Sequence, residues 1–248
     1  MENLGICLDG FTALRAEAKS SSEMISSLVF GEQYKIIEEK EEWLKIINRS
    51  DGYEAWMSLS NHNPLNKEVA LEVCSFVGTM RKVDTNETIH IGPGCYVTSF
   101  EGDFTLNNVD FQWIEHSLDV PTELKGISAQ FLGTPYIWGG RSIYGIDCSG
   151  FTQMVYRAFG LEIPRDSRPQ STISENQLTF KELEPGDLAF FINDDNQVNH
   201  VGLVLNNSKI IHASGTVHID ELKPDGIYNK RSQRTHPFAW GIKKPLVK

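Results

Sequence analysis

The sequence has no Cys-x-x-C pair, no low-complexity segment and no apolar run approaching the ~18 residues that span a bilayer. Its four cysteines, Cys7, Cys74, Cys95 and Cys148, are scattered, so spacing suggests neither a disulfide framework nor a structural zinc site. Positive charge is also short. Acidic side chains number 33 against 23 basic ones, a net charge of −10. That balance argues against nucleic acid, whose phosphates need a basic face, and against adsorption to anionic lipid. The opening residues, Met1 to Asp9, have no basic stretch leading into an apolar run, so no secretory signal is read there. The expectation is a chain that works in a reducing cytoplasm, with no membrane span and no nucleic-acid partner.

What is present is ordinary for a folded protein: 40% hydrophobic and 23% charged residues. At 248 residues the chain exceeds the ~150 typical of one domain. Residues 34–38, 43–47 and 54–57 are β-branched or aromatic runs bounded by charged or turn residues, the pattern of a small β barrel. A second strand-like block follows, with runs at 69–77, 89–91, 96–98 and 111–114 and a turn at Gly92-Pro93-Gly94. The character changes around Leu118-Asp119-Val120-Pro121-Thr122, which predicts domains over 1–62, 63–121 and 122–248. In the last of these, Phe151, Met154, Val155, Ala158 and Phe159 recur at helical spacing and Gly160 stands at the C′ position. Strand-like runs return at 188–192, 198–205, 210–214 and 238–243. One clear helix ahead of an antiparallel set is an α+β pattern.

Cys148 opens that helix. Helix N–H groups and the partial positive charge of the terminus favour a thiolate there. The other three cysteines sit in strand or turn contexts and read as small buried hydrophobes. Among seven histidines, His200 and His212 are the best placed, on two runs joined by a turn at 206–209. Register decides whether they meet. A two-residue loop pairs Leu203 with His212 and puts the two rings on opposite faces. A bulge or a third loop residue pairs Gly202 with His212 and brings them to one face, where His212 can orient His200. His62, His90 and His116 have polar neighbours, and His218 and His236 fall in loop-like stretches. A zinc site of Cys148, His200 and His212 lacks close ligand spacing and a carboxylate base, so no metal or other cofactor is expected.

Gly133-Thr134-Pro135-Tyr136-Ile137-Trp138-Gly139-Gly140, Gly145-Ile146-Asp147-Cys148-Ser149-Gly150-Phe151, Pro185-Gly186-Asp187-Leu188, His200-Val201-Gly202-Leu203 and His212-Ala213-Ser214 together resemble the NlpC-type cell-wall cysteine peptidases. The resemblance runs from about Gly126 to the C-terminus. It implies an α+β papain-like peptidase domain with Cys148 as nucleophile, His200 as general base, His212 as third member and Tyr136 as active-site support. The N-terminal half, notably Asp51-Gly52-Tyr53-Glu54-Ala55-Trp56, is similar to bacterial SH3-like barrel domains, with Ala55 where glycine is common. The whole layout resembles the γ-D-glutamyl-L-diamino-acid endopeptidases of murein recycling. That resemblance implies a small peptide substrate, L-Ala-γ-D-Glu-diamino acid with a free amine, bound by Asp147, Ser149, Ser167, Tyr53 and Glu17. For Asp147 a helix N-cap is the alternative, for Glu17 an exposed strand charge, and for Tyr53 a barrel-core aromatic. Arg141, Arg165 and Arg168 read either as carboxylate binders or as solvated surface. An amidase or acyl transferase with the same triad, and a non-catalytic wall-binding protein, are the alternative functions.

Overall fold

A computed structural model describes residues 3–116, 121–206, 208–229 and 234–244. Residues 118–120 of the expected boundary lie outside that set. The first sheet comprises β1 (Leu4–Ile6), β2 (Thr12–Arg15), β3 (Met24–Leu28), β4 (Gln33–Lys40), β5 (Trp43–Asn48), β6 (Glu54–Ser58) and β7 (Pro64–Leu65). Its order is β3-β2-β6-β5-β4-β1-β7. Period-two alternation drives it: Leu44 and Ile46 of β5 and Ala55 and Met57 of β6 turn inward onto Leu14, Leu28 and Tyr34. The second unit contains β8 (Glu72–Val73), β9 (Gly78–Lys82), β10 (Thr88–Ile91), β11 (Tyr96–Val97), β12 (Phe104–Leu106) and β13 (Val109–His116). They form a four-stranded sheet, β10-β9-β13-β12, and a separate β11–β8 ladder.

The C-terminal unit begins with α1 (Leu124–Ala129), the short hairpin β14 (Arg141–Ser142) and β15 (Gly145–Ile146), α2 (Cys148–Ala158) and α3 (Ser167–Gln170). Then come β16 (Gln177–Leu178), β17 (Leu188–Ile192), β18 (Val198–Asn206), β19 (Lys209–Ser214), β20 (Thr216–Lys223), β21 (Gly226–Asn229) and β22 (Arg234–Ile242). Strands β17 to β22 pair in sequence, and β22 pairs with both β21 and β17, which closes a six-stranded barrel. The sequence pattern suggested an antiparallel set of four runs. Closure comes from β20–β22, whose polar, weakly alternating residues hid two strands. His218 and His236 therefore lie on β20 and β22, in strands where loops were expected. Among the described residues α2 is the one long helix, so sheet outweighs helix more than the α+β reading implies.

Helix α2 is buried from Cys148 to Arg157. Phe151, Met154, Val155 and Tyr156 belong to an apolar cluster that also holds Phe30, Phe76, Met80, Phe104 and Phe111 of the N-terminal half and Leu188, Phe190 and Val201 of the barrel. The second β unit is thus fused to the C-terminal unit through one core.

A charged knot joins the first sheet to α2. Glu32 is fully buried and sits between Arg141 of β14, at 2.8 Å, and Arg157 of α2, at 2.6 Å. Its carboxylate also accepts from Asn48 Nδ2, Ser50 Oγ and the Val29 N–H at 2.8–3.0 Å. Burial alone would raise the Glu32 pKa, yet the two guanidiniums hold it well below the usual carboxylate range. Arg141 and Arg165 were candidate surface cations in the sequence; both are buried, because each has a carboxylate partner. Removing one partner of such a pair leaves uncompensated buried charge, at about 3–5 kcal/mol. Glu32→Ala is expected to lower the unfolding free energy by about that amount in urea denaturation. A loss under ~1 kcal/mol, the worth of an exposed pair, would show the knot to be dispensable.

Candidate active site

The α2 terminus is built by Asp147. Its backbone is extended, and its Oδ1 accepts the Gly150 N–H at 2.7 Å, an N-cap that starts the helix at Cys148. Its Oδ2 accepts the Gly139 N–H at 2.8 Å, and Arg165 binds both oxygens, at 3.1 and 2.6 Å. Asp147 is 4% exposed and its charge is matched by the guanidinium. A Cβ on Gly150 would fall 2.3 Å from the Gly140 carbonyl, so only glycine lets that loop close over the helix start. Ser149 donates to Asp147 and receives Arg165 Nη1 at 3.0 Å.

The two histidines meet as the bulged register requires. Leu203 pairs with Ile211, Val204 with Ile210 and Asn206 with Lys209, with the irregularity between Val204 and Asn206. This sets Gly202 opposite His212, and a Cβ at Gly202 would lie 2.9 Å from the His212 Cβ. Asn207, in the connecting turn, lies outside the described residues. His200 Nε2 and His212 Nδ1 are 2.8 Å apart. His212 Nε2 is 3.2 Å from Asp220 Oδ2, and His218 Nε2 is 3.1 Å from the same oxygen. His236 stacks on the His200 ring with centroids 4.6 Å apart. Asp220, His218 and His236 were not singled out as site residues. The signal for the first two was available: His218-x-Asp220 has the period of a strand, and Ser214-Gly215-Thr216 is a turn that sets His218 across from His212.

Cys148 is 6% exposed, and its sulfur receives backbone hydrogen bonds from Ser149 and from Val201, the neighbour of His200. Burial pushes its thiol up to about 12, with the Asp147 carboxylate adding to the shift. Burial first, and then the neighbouring histidines, hold His200 well below its ordinary value. Both shifts favour uncharged partners. Burial thus works against the thiolate expected from the helix terminus, with desolvation outweighing the terminal dipole. Asp220 opposes the same effect at His212 through its hydrogen bond.

A cleft of about 500 Å³ runs past Cys148 between the first sheet and the C-terminal unit. It is lined by Tyr53 and Ile25 from the first, and by Asp147, Ser149, Asp166, Ser167 and Arg168 from the second, with Trp138 at its side. The structure thus brings together Cys148, Asp147, Ser149, Ser167 and Tyr53. Tyr136 is half-buried outside that lining, fixed by a bridge to Ile146 and by its N–H on the Gly215 carbonyl. Burial raises its phenol, with Cys148 and Asp147 contributing next. Glu17 is not among the lining residues: it is exposed, and Lys19 takes its carboxylate at 2.6 Å. Glu23, just ahead of β3, accepts from the Nε1 of the cleft residue Trp138 at 2.7 Å.

Tyr53 is only partly a core aromatic. Its hydroxyl donates to Asp166 Oδ2 at 3.3 Å across the boundary between the two units. Asp166, half-exposed, has a raised pKa, from burial foremost and against the pull of Arg165 3.9 Å away. It is the cleft carboxylate without a bidentate partner. Arg168, which donates to the Val198 carbonyl at 3.3 Å, is the cleft's exposed guanidinium.

Comparison with known proteins gives matching results. The NlpC/P60 family profile matches residues 133–235, and the bacterial SH3 domain profile matches residues 10–63. A γ-D-glutamyl-L-lysine dipeptidyl-peptidase of Bacillus subtilis is 27% identical over 241 residues, 87% of this chain and 76% of that protein. Its Bacillus cereus counterpart is 26% identical over 239 residues, 78% of this chain and 68% of that protein. The probable endopeptidase NlpC of Escherichia coli is 37% identical over 115 residues, 44% of this chain and 74% of that protein. The crystal structure of an NlpC/P60 family protein from Bacillus cereus superposes with a TM-score of 0.80 at 20% identity, covering 97% of this chain and 99% of the other.

A neutral resting thiol has a direct signature. Alkylation of Cys148 by iodoacetamide, followed by peptide mass mapping, is expected to rise about tenfold per pH unit from pH 7 to 9 without levelling, since burial pushes the thiol up to about 12. A plateau below pH 8 would mean a thiolate already present, and would overturn the assignment.

Proposed function

Because the chain belongs to the NlpC/P60 family of cell-wall peptidases, we propose that it is a cysteine endopeptidase cutting the γ-D-glutamyl-L-diamino-acid bond of short murein peptides whose L-Ala amine is free. The observation that carries this reading is the Tyr53–Asp166 contact, which draws the SH3-like sheet onto one end of the cleft that holds Cys148. A long glycan-linked strand does not suit a cleft bounded in that way, whereas a peptide with a terminal ammonium does. The half-exposed Asp166 carboxylate supplies the counter-charge, in place of Asp147, whose charge Arg165 already matches. The exposed guanidinium of Arg168 suits a carboxylate of the same peptide.

In this reading the C-terminal unit works as a papain-like peptidase. The Cys148 sulfur attacks the γ-glutamyl carbonyl while His200 takes the thiol proton at the nitrogen that His212 does not hold. His212 keeps the His200 ring in place, and Asp220 keeps His212 in place. The N–H of Cys148 at the helix start faces the developing oxyanion, where an aimed donor contributes about 3 kcal/mol. His200 then protonates the departing diamino-acid amine. Water, deprotonated by the same ring, hydrolyses the thioester and frees L-Ala-D-Glu. Tyr136 packs beside the thiol, and Ser149 and Ser167 contact the peptide. All four cysteines are free and buried, which fits a reducing compartment, and we place the activity in cytoplasmic murein-peptide recycling.

Cys148→Ala is expected to abolish hydrolysis of L-Ala-γ-D-Glu-L-diamino-acid tripeptide, followed by mass spectrometry of the products, with an unchanged circular dichroism spectrum. Retained turnover would remove the thiol from the mechanism. The N-acetylated tripeptide is expected to be cut at least tenfold more slowly, about 1.4 kcal/mol of lost ammonium–carboxylate contact. Equal rates would sink the amine requirement and leave the thiol chemistry standing.

A further inference from the structure

The hairpin behind the histidine pair holds a second constellation. In β19–β20, His212 and His218 are direct cross-strand partners, and Asp220 follows two residues on, so all three side chains share one face. One ligand atom from each, two imidazole nitrogens and a carboxylate oxygen, falls within 4.8 Å of the others. We propose that His212, His218 and Asp220 form a binding site for a divalent transition-metal ion of the zinc class, and that its occupation silences Cys148.

Three observations carry the site. The first is spacing. Asp220 Oδ2 lies 3.2 Å from His212 Nε2 and 3.1 Å from His218 Nε2. Two ligands on a tetrahedral zinc ion at about 2.0–2.1 Å stand about 3.3 Å apart, so the carboxylate oxygen already lies at that separation from each imidazole, and the two imidazole nitrogens lie within 4.8 Å of each other. The second is the outer hydrogen bond. His218 Nδ1 donates to the Thr216 carbonyl at 2.7 Å, the support that a metal-binding imidazole commonly has. That bond leaves Nε2, 3.1 Å from Asp220 Oδ2, as the ring nitrogen that faces the carboxylate. The third is access. His218 and Asp220 side chains are each 18% exposed while His212 is buried, so an ion reaches the site from solvent and keeps room for a water ligand.

The silencing follows from hydrogen-bond direction, and this part rests on the peptidase reading above. With His212 Nε2 turned to Asp220, the proton between His212 Nδ1 and His200 Nε2 belongs to His200 whenever His200 has taken a second one. A metal ion on His212 Nε2 puts the remaining proton of that ring on Nδ1. It then donates to His200 Nε2, which must accept, and His200 is left unable to receive the Cys148 proton without losing the contact. The groups that face His212 are His200 from β18 and His218 and Asp220 from β20, with His236 of β22 stacked beyond His200. Catalysis needs no ion; an ion stops it.

The test separates binding from activity. In Cys148→Ala protein, where no thiol remains, Zn²⁺ titrated by calorimetry is expected to bind at one per chain, and Co²⁺ to give the visible absorption of a tetrahedral site. Adding His218→Ala to that background is expected to weaken binding at least tenfold, and His218→Gln, which keeps a polar side chain for folding, to do the same. No binding to Cys148→Ala protein, or undiminished binding in both double variants, overturns the site. In the otherwise native enzyme, Zn²⁺ is expected to inhibit tripeptide hydrolysis reversibly with EDTA, and the single His218→Gln variant to keep its chelator-treated rate while losing that inhibition. Inhibition of equal strength in His218→Gln would put the ion on Cys148 and overturn the switch. If tripeptide is not cut even with chelator, the peptidase reading fails, while the calorimetry still decides the site.

Discussion

One buried carboxylate organises the molecule. Glu32 belongs to the loop between β3 and β4, yet its two charged partners lie over a hundred residues away, on β14 and α2. Two guanidiniums on one carboxylate leave positive charge in a dry interior, and Asp51, 3.7 Å from Arg141, and Glu162, 3.3 Å from Arg157, reduce it. The pairing selects one docking of the SH3-like sheet on the C-terminal unit, because any slip leaves buried charge unpaired. Arg157 rides on the helix that presents Cys148 at its other end, and Asp51 stands two residues from Tyr53. The same knot therefore sets Cys148 and the wall of the cleft together.

The chemistry at the helix terminus follows from exclusion of water. Burial raises the thiol and lowers the imidazole, so desolvation works against both charges. Around these two groups stand an N–H at the helix start, His212 on His200, and Asp220 on His212. Asp147 adjoins the thiol and would be the natural electrostatic neighbour, but Arg165 and two backbone N–H groups absorb it. Its work is to begin the helix.

Much of this was legible in the residues. Helical spacing from Phe151 to Phe159 and Gly160 fixed α2 to within a residue, since a fully buried helix with a glycine stop has few alternatives. The demand that Gly202 face His212 was also legible, and the bulge satisfies it. Long-range pairing was not. Arg141 and Arg165 read as surface cations because nothing nearby in the chain shows that Glu32 and Asp147 come to meet them. Asp166 was passed over for the adjacent Ser167 because its value depends on Tyr53, 113 residues distant. Strands β20 to β22 were missed in part because a barrel wall with one wet face tolerates the polar residues that otherwise signal loops.

Barrel closure also sets a schedule for synthesis. Strand β22 is the last of the described strands, yet it bonds to β17 and β21, and it carries the His236 that stacks on His200. A ribosome-bound chain can complete the SH3-like sheet early, apart from its buried glutamate, whose partners emerge about a hundred residues later. The histidine cluster waits longer still, for the end of the barrel. A nascent chain thus has Cys148 long before the walls that exclude water from it. Closing the barrel is what brings the histidine cluster together.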